Sequence, residues 1–111
     1  MELKGKQRRH LRALGHHLEP VVYVGRNGLG EPQYEAIRQA LYDHELIKIK
    51  LGKGAEIDLK EMVESIVANT RAACVQTLGK TALFYAPNPD HQRIKLPDPE
   101  KDGEDEGEEK P

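Results

Sequence analysis

Apolar residues return along this chain with two periods. When successive residues are set 100° apart, Leu3, Gln7, Leu11, Leu14 and Leu18 gather on one side, and Lys4, Arg8, Arg9 and Arg12 sweep round the neighbouring side. The pattern predicts an amphipathic helix with a cationic flank over residues 3–16, ended by Gly15 and Pro20. Val21, Val22, Tyr23 and Val24 form a short, β-branched apolar run and predict a buried strand. A glycine-rich turn follows over residues 25–30. Pro32 suits the first turn of a second helix, where its missing N–H costs nothing. Tyr34, Ile37, Ala40 and Leu41 supply that helix's stripe, which ends near His44.

Residues 46–51 then alternate, with Ile47, Ile49 and Leu51 on one face and Lys48 and Lys50 on the other. This is the pattern of a strand with one face buried and one wet. Gly52-Lys53-Gly54 breaks it. Asp58 and Glu61 make a capping box for a third helix, with Leu59, Met62, Val63, Ile66 and Thr70 as its core stripe. Residues 73–78 and 81–85 read as two more strands joined by the two-residue turn Gly79-Lys80.

The predicted order is α-β-α-β-α-β-β. Helices between the first strands favour parallel crossovers, whereas the closing hairpin must be antiparallel. The expected fold is α/β (α+β), a four-stranded mixed sheet with packed helices. Past Pro87 the periodicity fails, and Pro, Asp, Glu and Gly dominate. We therefore expect one domain over residues 1–97 and a disordered acidic tail over residues 98–111.

Charge sharpens this division. The net charge is −2, but residues 98–111 hold eight acidic residues and two lysines, a net of −6. The remainder holds 15 basic and 11 acidic residues, a net of +4. A basic body points toward a polyanionic partner. A single cysteine, Cys74, allows no intrachain disulfide and makes a reducing compartment the default. No apolar run approaches the length of a membrane span, and the N-terminus lacks the apolar core of a signal sequence. A cytoplasmic location, no membrane and a monomer are expected.

The Gly25-Arg26-Asn27-Gly28 loop lies between a strand and a helix. Glycines there admit a phosphate close to backbone N–H groups, and the following helix turns its positive end to the same place. Arg26 adds donors, and Asn27 tolerates a left-handed backbone. An ordinary strand-to-helix turn has the same composition, so the loop alone leaves both readings open. A P-loop is excluded because Leu29 and Gly30, not Lys and Ser or Thr, follow Gly28. The dinucleotide fingerprint is excluded by its spacing. The face formed by Lys4, Arg8, Arg9 and Arg12 suits a phosphate backbone or plain solvent, and Lys48 and Lys50 share that ambiguity. The five histidines are scattered, and one cysteine cannot complete a structural zinc site. No catalytic pairing emerges, and no enzyme activity, metal or cofactor is expected. The five aromatics, Tyr23, Tyr34, Tyr42, Phe84 and Tyr85, do not alternate with basic residues along the chain. That favours recognition of shape and backbone over base stacking.

Three segments, in order, resemble a known family. Leu18-Glu19-Pro20-Val21-Val22-Tyr23-Val24-Gly25-Arg26-Asn27-Gly28-Leu29 is similar to the signature of the CRM domain, named for chloroplast RNA splicing and ribosome maturation. So are His44-Glu45-Leu46-Ile47-Lys48-Ile49-Lys50 and Val75-Gln76-Thr77-Leu78-Gly79-Lys80. The likeness spans residues 3–85 and is nearest the single-domain bacterial YhbY proteins. The resemblance implies a fold related to the C-terminal domain of translation initiation factor three. It also implies a structured RNA partner, ribosomal RNA of the large-subunit precursor. It puts the RNA contact on Gly25, Arg26, Asn27 and Gly28, with Lys48 and Lys50 as the strand lysines. The chain departs from the pattern at Gly30, where a Thr is common, and at Ala86, where an Arg is common. Its acidic C-terminus is atypical. The rival from another class is a protein-interaction adaptor whose basic face meets an acidic protein.

Overall fold

The protein is described by a computed structural model over residues 2–98. Its elements follow the expected order: α1 (Gly5–Gly15), β1 (Pro20–Val24), α2 (Glu31–His44), β2 (Leu46–Leu51), α3 (Leu59–Asn69), β3 (Ala73–Leu78) and β4 (Thr81–Tyr85). The sheet order is β1-β2-β4-β3. β1 pairs parallel with β2, and β4 runs antiparallel to both β2 and β3. Strands β1, β2 and β3 therefore point the same way, and the turns that leave them emerge at one end of the sheet.

Helices α2 and α3 cover one face. Val24, Ile37, Leu41, Ile47, Ile49, Met62, Ile66, Ala82 and Phe84 form the core between them and the strands. On the other face α1 packs against β2, β3 and β4, over a smaller core that includes Leu3, Leu11, Leu46, Val75, Leu83 and Tyr85. Strand β4 lies inside the sheet with a layer on each side, which is why residues 82–86 are apolar without alternation and wholly buried. The α3 capping box forms in both directions: Glu61 N–H donates to Asp58 and Asp58 N–H to Glu61, each at 2.9 Å.

Helix α1 corrects the predicted stripe. It is shorter at both ends than residues 3–16, and Leu3, Gln7, Leu11 and Gly15 make its buried face, while Leu14 and Leu18 are 44 % and 38 % exposed. The cause is Gly15. A Cβ there would lie 2.7 Å from a Leu83 methyl, so the helix rests on the sheet through its backbone at that point. Leu14 is turned aside, and Leu18 lies beyond the helix end, where the wheel no longer applies.

Residues 86–98 form no helix or strand, yet they are tied to the domain. The buried Glu45 carboxylate accepts backbone N–H groups from Asn88 (2.7 Å), Ile94 (2.8 Å) and Arg93 (3.0 Å). Ile94 and Leu96 pack on the smaller core. The expected disordered tail, apart from Asp98, lies outside the described residues.

Candidate nucleic-acid interface

The parallel run of β1, β2 and β3 brings three glycine turns together. Gly52 N–H donates to the Val24 carbonyl at 2.8 Å, and Leu51 N–H to the Lys80 carbonyl at 2.8 Å. The turn after β1 carries Arg26, the turn after β2 carries Lys53, and the β3–β4 hairpin carries Lys80. All three side chains are exposed. The sequence reading singled out Arg26 alone. Lys53 and Lys80 each stand in a short glycine turn, but only the strand order shows that these turns are neighbours.

The first turn has a defined shape. Gly28 N–H donates to the Gly25 carbonyl at 2.9 Å, closing a β-turn with Arg26 and Asn27 exposed at its tip. Gly28 has φ 67°, a left-handed conformation that a side chain resists. Gly25 has no such need, and a Cβ on it would meet nothing within 4 Å. The fold thus requires glycine at 28 but not at 25. The Gly28 amide is engaged within the turn. Arg26 and Asn27 stand exposed at the tip of this turn, where an anion can approach the backbone.

Gly30 caps α2 by half. It offers no side-chain acceptor, but Gln33 Oε1 accepts its N–H at 2.8 Å. Glu31, the acidic residue of this first turn, is drawn along the helix by Arg38, at 2.8 Å. The helix end therefore keeps its partial positive charge toward the turn.

Lys48 and Lys50 lie on the α1 side of β2. Lys50 pairs in register with Tyr23 and Thr81, and Lys48 with Pro20 and Leu83. Lys50 is exposed and Lys48 half-buried. Lys50 stands on the part of the face that α1 leaves uncovered, toward the glycine turns, and Lys48 lies in the row behind, beside the Leu83 on which Gly15 rests.

The α1 cations divide. Arg8 donates from one nitrogen to the carbonyls of Cys74 (2.7 Å) and Val75 (2.8 Å), tying α1 to the start of β3. From there the helix crosses to β4, where Gly15 rests on Leu83. Lys4 is exposed at the end remote from the glycine turns, and Arg12 is half-buried in the last turn, nearer to them. Arg9 is half-buried on the same helix. The structure thus brings Arg26, Lys48 and Lys50 together, with Arg12 toward them and Lys4 apart.

Other reactive groups have structural settings. Burial pushes the Cys74 thiol up, which suppresses its thiolate. His16 and His17 stack edge to face at 5.2 Å. Among the described residues, no three His, Cys, Asp or Glu side chains gather as a metal-ligand set. No helix of these residues is long and apolar enough to cross a membrane. Ala86 is fully buried, and its N–H donates to the Glu45 carbonyl at 2.9 Å.

A four-stranded mixed sheet with helices on both faces, carrying a GxxG turn between β1 and α2, defines a small α/β domain of the CRM kind. The chain belongs to the CRS1/YhbY (CRM) domain family, whose profile matches residues 3–86. It is similar to Probable RNA-binding protein PA4753 of Pseudomonas aeruginosa, 40 % identical over 89 residues, covering 80 % of this chain and 86 % of that protein. It is 37 % identical over 95 residues to Probable RNA-binding protein YqeI of Bacillus subtilis, covering 86 % of this chain and 99 % of the relative. It also resembles the solution structure of hypothetical protein SAV1595 of Staphylococcus aureus, a candidate RNA-binding protein. That likeness has a TM-score of 0.70 and 31 % identity, and covers 86 % of this chain and all of the other.

Proposed function

We propose that this protein binds structured RNA and acts, without catalysis, as a cytoplasmic and monomeric assembly factor for the large ribosomal subunit. The observation that carries the reading is the convergence of Arg26, Lys53 and Lys80 on three adjoining turns, beside Lys48 and Lys50. Four cations toward one end of the sheet, with Lys48 one row behind Lys50, form a phosphate-tracking surface. The exposed tip of the Gly25–Gly28 turn and the positive end of α2 add to the attraction there. The names of the relatives support RNA as the ligand. The family resemblance supports the precursor of large-subunit ribosomal RNA as the particular RNA.

Crosslinking in cells followed by sequencing of the attached RNA tests both levels. The expected result is enrichment of one structured region of precursor large-subunit RNA. Crosslinks spread over messenger RNA would overturn the assembly role. An absence of crosslinked RNA, with the protein instead held by an acidic protein, would favour an adaptor.

A further inference from the structure

We propose that the sheet face beside the glycine turns holds an unpaired nucleotide of the bound RNA, its base on Tyr23 and its backbone phosphate at Lys50. The proposal rests on the RNA-binding reading above and names a part of the ligand which that reading leaves open.

Register pairs place Tyr23, Lys50, Thr81 and Leu78 in one row across all four strands. The row lies on the α1 side of the sheet, since Ile49 and Leu51, the neighbours of Lys50, point into the α2–α3 core. Helix α1 does not reach it, because its last residue, Gly15, rests on Leu83 in the row behind. Tyr23 is consequently 62 % exposed and Leu78 75 % exposed, on a sheet face with no layer over it. In a sheet otherwise packed on both sides, that exposure calls for a ligand.

The chemistry of the surroundings selects the ligand. Neither the Tyr23 row nor the row behind it, formed by Pro20, Lys48, Leu83 and Gln76, contains a carboxylate. A flat, exposed aromatic ring paired with a lysine suits a nucleobase joined to a phosphate. Adjacent strands lie about 4.8 Å apart, so a base stacked on Tyr23 leaves its backbone over the Lys50 ammonium. A shallow cavity of about 160 Å³ lies farther across the same face, walled by Leu18, Lys48, Gln76, Leu78 and Thr81 and not by Tyr23. The GxxG turn directly continues β1 after Tyr23, so a duplex held there presents a loop or overhang to this face.

A base on Tyr23 would add stacking to the recognition of shape and backbone expected from the sequence. Aromatic and basic residues do not alternate along the chain, but the pairing of β1 with β2 sets Tyr23 beside Lys50.

The test compares a blunt RNA hairpin with the same hairpin carrying a short single-stranded extension, by fluorescence anisotropy. Wild type, Tyr23→Phe and Tyr23→Leu are measured, with circular dichroism to confirm folding. Wild type is expected to bind the extended hairpin more tightly. Tyr23→Leu is expected to remove that increment, about tenfold, while binding the blunt hairpin as wild type does, and Tyr23→Phe to keep it. Lys50→Gln is expected to lower the salt dependence on the extended hairpin. Equal binding of both RNAs by wild type, or no effect of Tyr23→Leu on the extended hairpin, would overturn the stacking site and leave the RNA-binding reading intact. Binding of neither hairpin by wild type would overturn both.

Discussion

The Glu45 carboxylate accepts the backbone N–H of Asn88 at 2.7 Å, inside the domain, joining residues 43 positions apart. Burial pushes this carboxyl up, but N–H donors from Asn88, Ile94 and Arg93, helped by the charge of Arg93, outweigh it and hold the group below its ordinary value of 4.5. Glu45 also has φ 65°, the left-handed conformation that glycine usually takes at a helix end. The side chain offsets that strain by securing residues 88–94. A lowered folded-state pKa stabilises the fold fully above the unfolded value, and the gain is lost as pH falls through the folded value. Glu45→Gln is therefore expected to cost about 2–3 kcal/mol near neutral pH, because one acceptor oxygen becomes a donor facing donors. Urea unfolding between about pH 7 and pH 3 checks this. Wild type should lose stability below pH 4.5, and the variant should lose less. Parallel pH curves would assign the acid sensitivity to other carboxylates.

Residues that act through local pattern were legible in the sequence, and residues that act through tertiary placement were not. The bounds of β2 followed from alternation, and those of β3 and β4 from the turn at Gly79-Lys80. The α3 cap followed from Asp58 and Glu61. Glu45, by contrast, resembles any surface glutamate before a strand. Its one local signal is a non-glycine residue where a helix gives way directly to a strand. The cluster of Arg26, Lys53 and Lys80 depends on β4 inserting between β2 and β3, which no window of sequence contains. The stripe of α1 failed at Leu14 for a like reason, since the contact that turns it aside is between Gly15 and Leu83.

Arg8 and Arg12 share a helical flank but should respond differently to substitution. Arg8 bonds two β3 carbonyls, so Arg8→Ala is expected to destabilise the fold by about 1–2 kcal/mol. Arg12→Ala should change stability by less than about 0.5 kcal/mol. Chemical denaturation of the two variants measures the difference. Equal stabilities would mean that the Arg8 contacts exchange with water at no cost. Arg12→Glu is in consequence the cleaner probe of α1 in RNA binding, because a loss of affinity in Arg8→Glu mixes folding with contact.

The two glycines of the GxxG turn separate fold from ligand. Gly28→Ala forces a side chain into a left-handed backbone and should cost about 1 kcal/mol of stability. Gly25→Ala meets no atom within 4 Å and needs no unusual φ, so the fold should tolerate it. If Gly25 is the point where RNA approaches the backbone, Gly25→Ala should still weaken RNA binding about tenfold, through crowding of the ligand alone. Arg26→Ala should leave stability unchanged and lower the log–log salt slope of binding by roughly 0.7–1, the loss of one phosphate contact. Unaltered affinity in Gly25→Ala together with an unaltered slope in Arg26→Ala would move the interface away from this turn.

The final prediction follows from where the described chain ends. Gln7 Nε2 donates to the Pro97 carbonyl at 3.3 Å, and Leu96 packs on the core that holds Leu3. The chain therefore leaves the domain beside the start of α1, the helix that carries Lys4, Arg8 and Arg12. The sequence beyond it, residues 99–111, has seven acidic residues and two lysines, a net of −5. A tethered segment acts at a local concentration on the millimolar scale. At low salt its charge is expected to compete with RNA phosphates for the α1 flank, most of all with RNA held by charge alone. Truncation after Asp98 should then tighten binding of arbitrary RNA at low salt. The gap should close as salt rises toward about 1 M, where charges are screened within roughly 3 Å. Binding to the specific RNA site should change less, because the glycine turns lie at the other end of the domain from Lys4. Salt titrations of full-length and truncated protein against one arbitrary and one specific RNA provide the measurement. Equal low-salt affinities for the arbitrary RNA would leave the acidic residues without a part in binding.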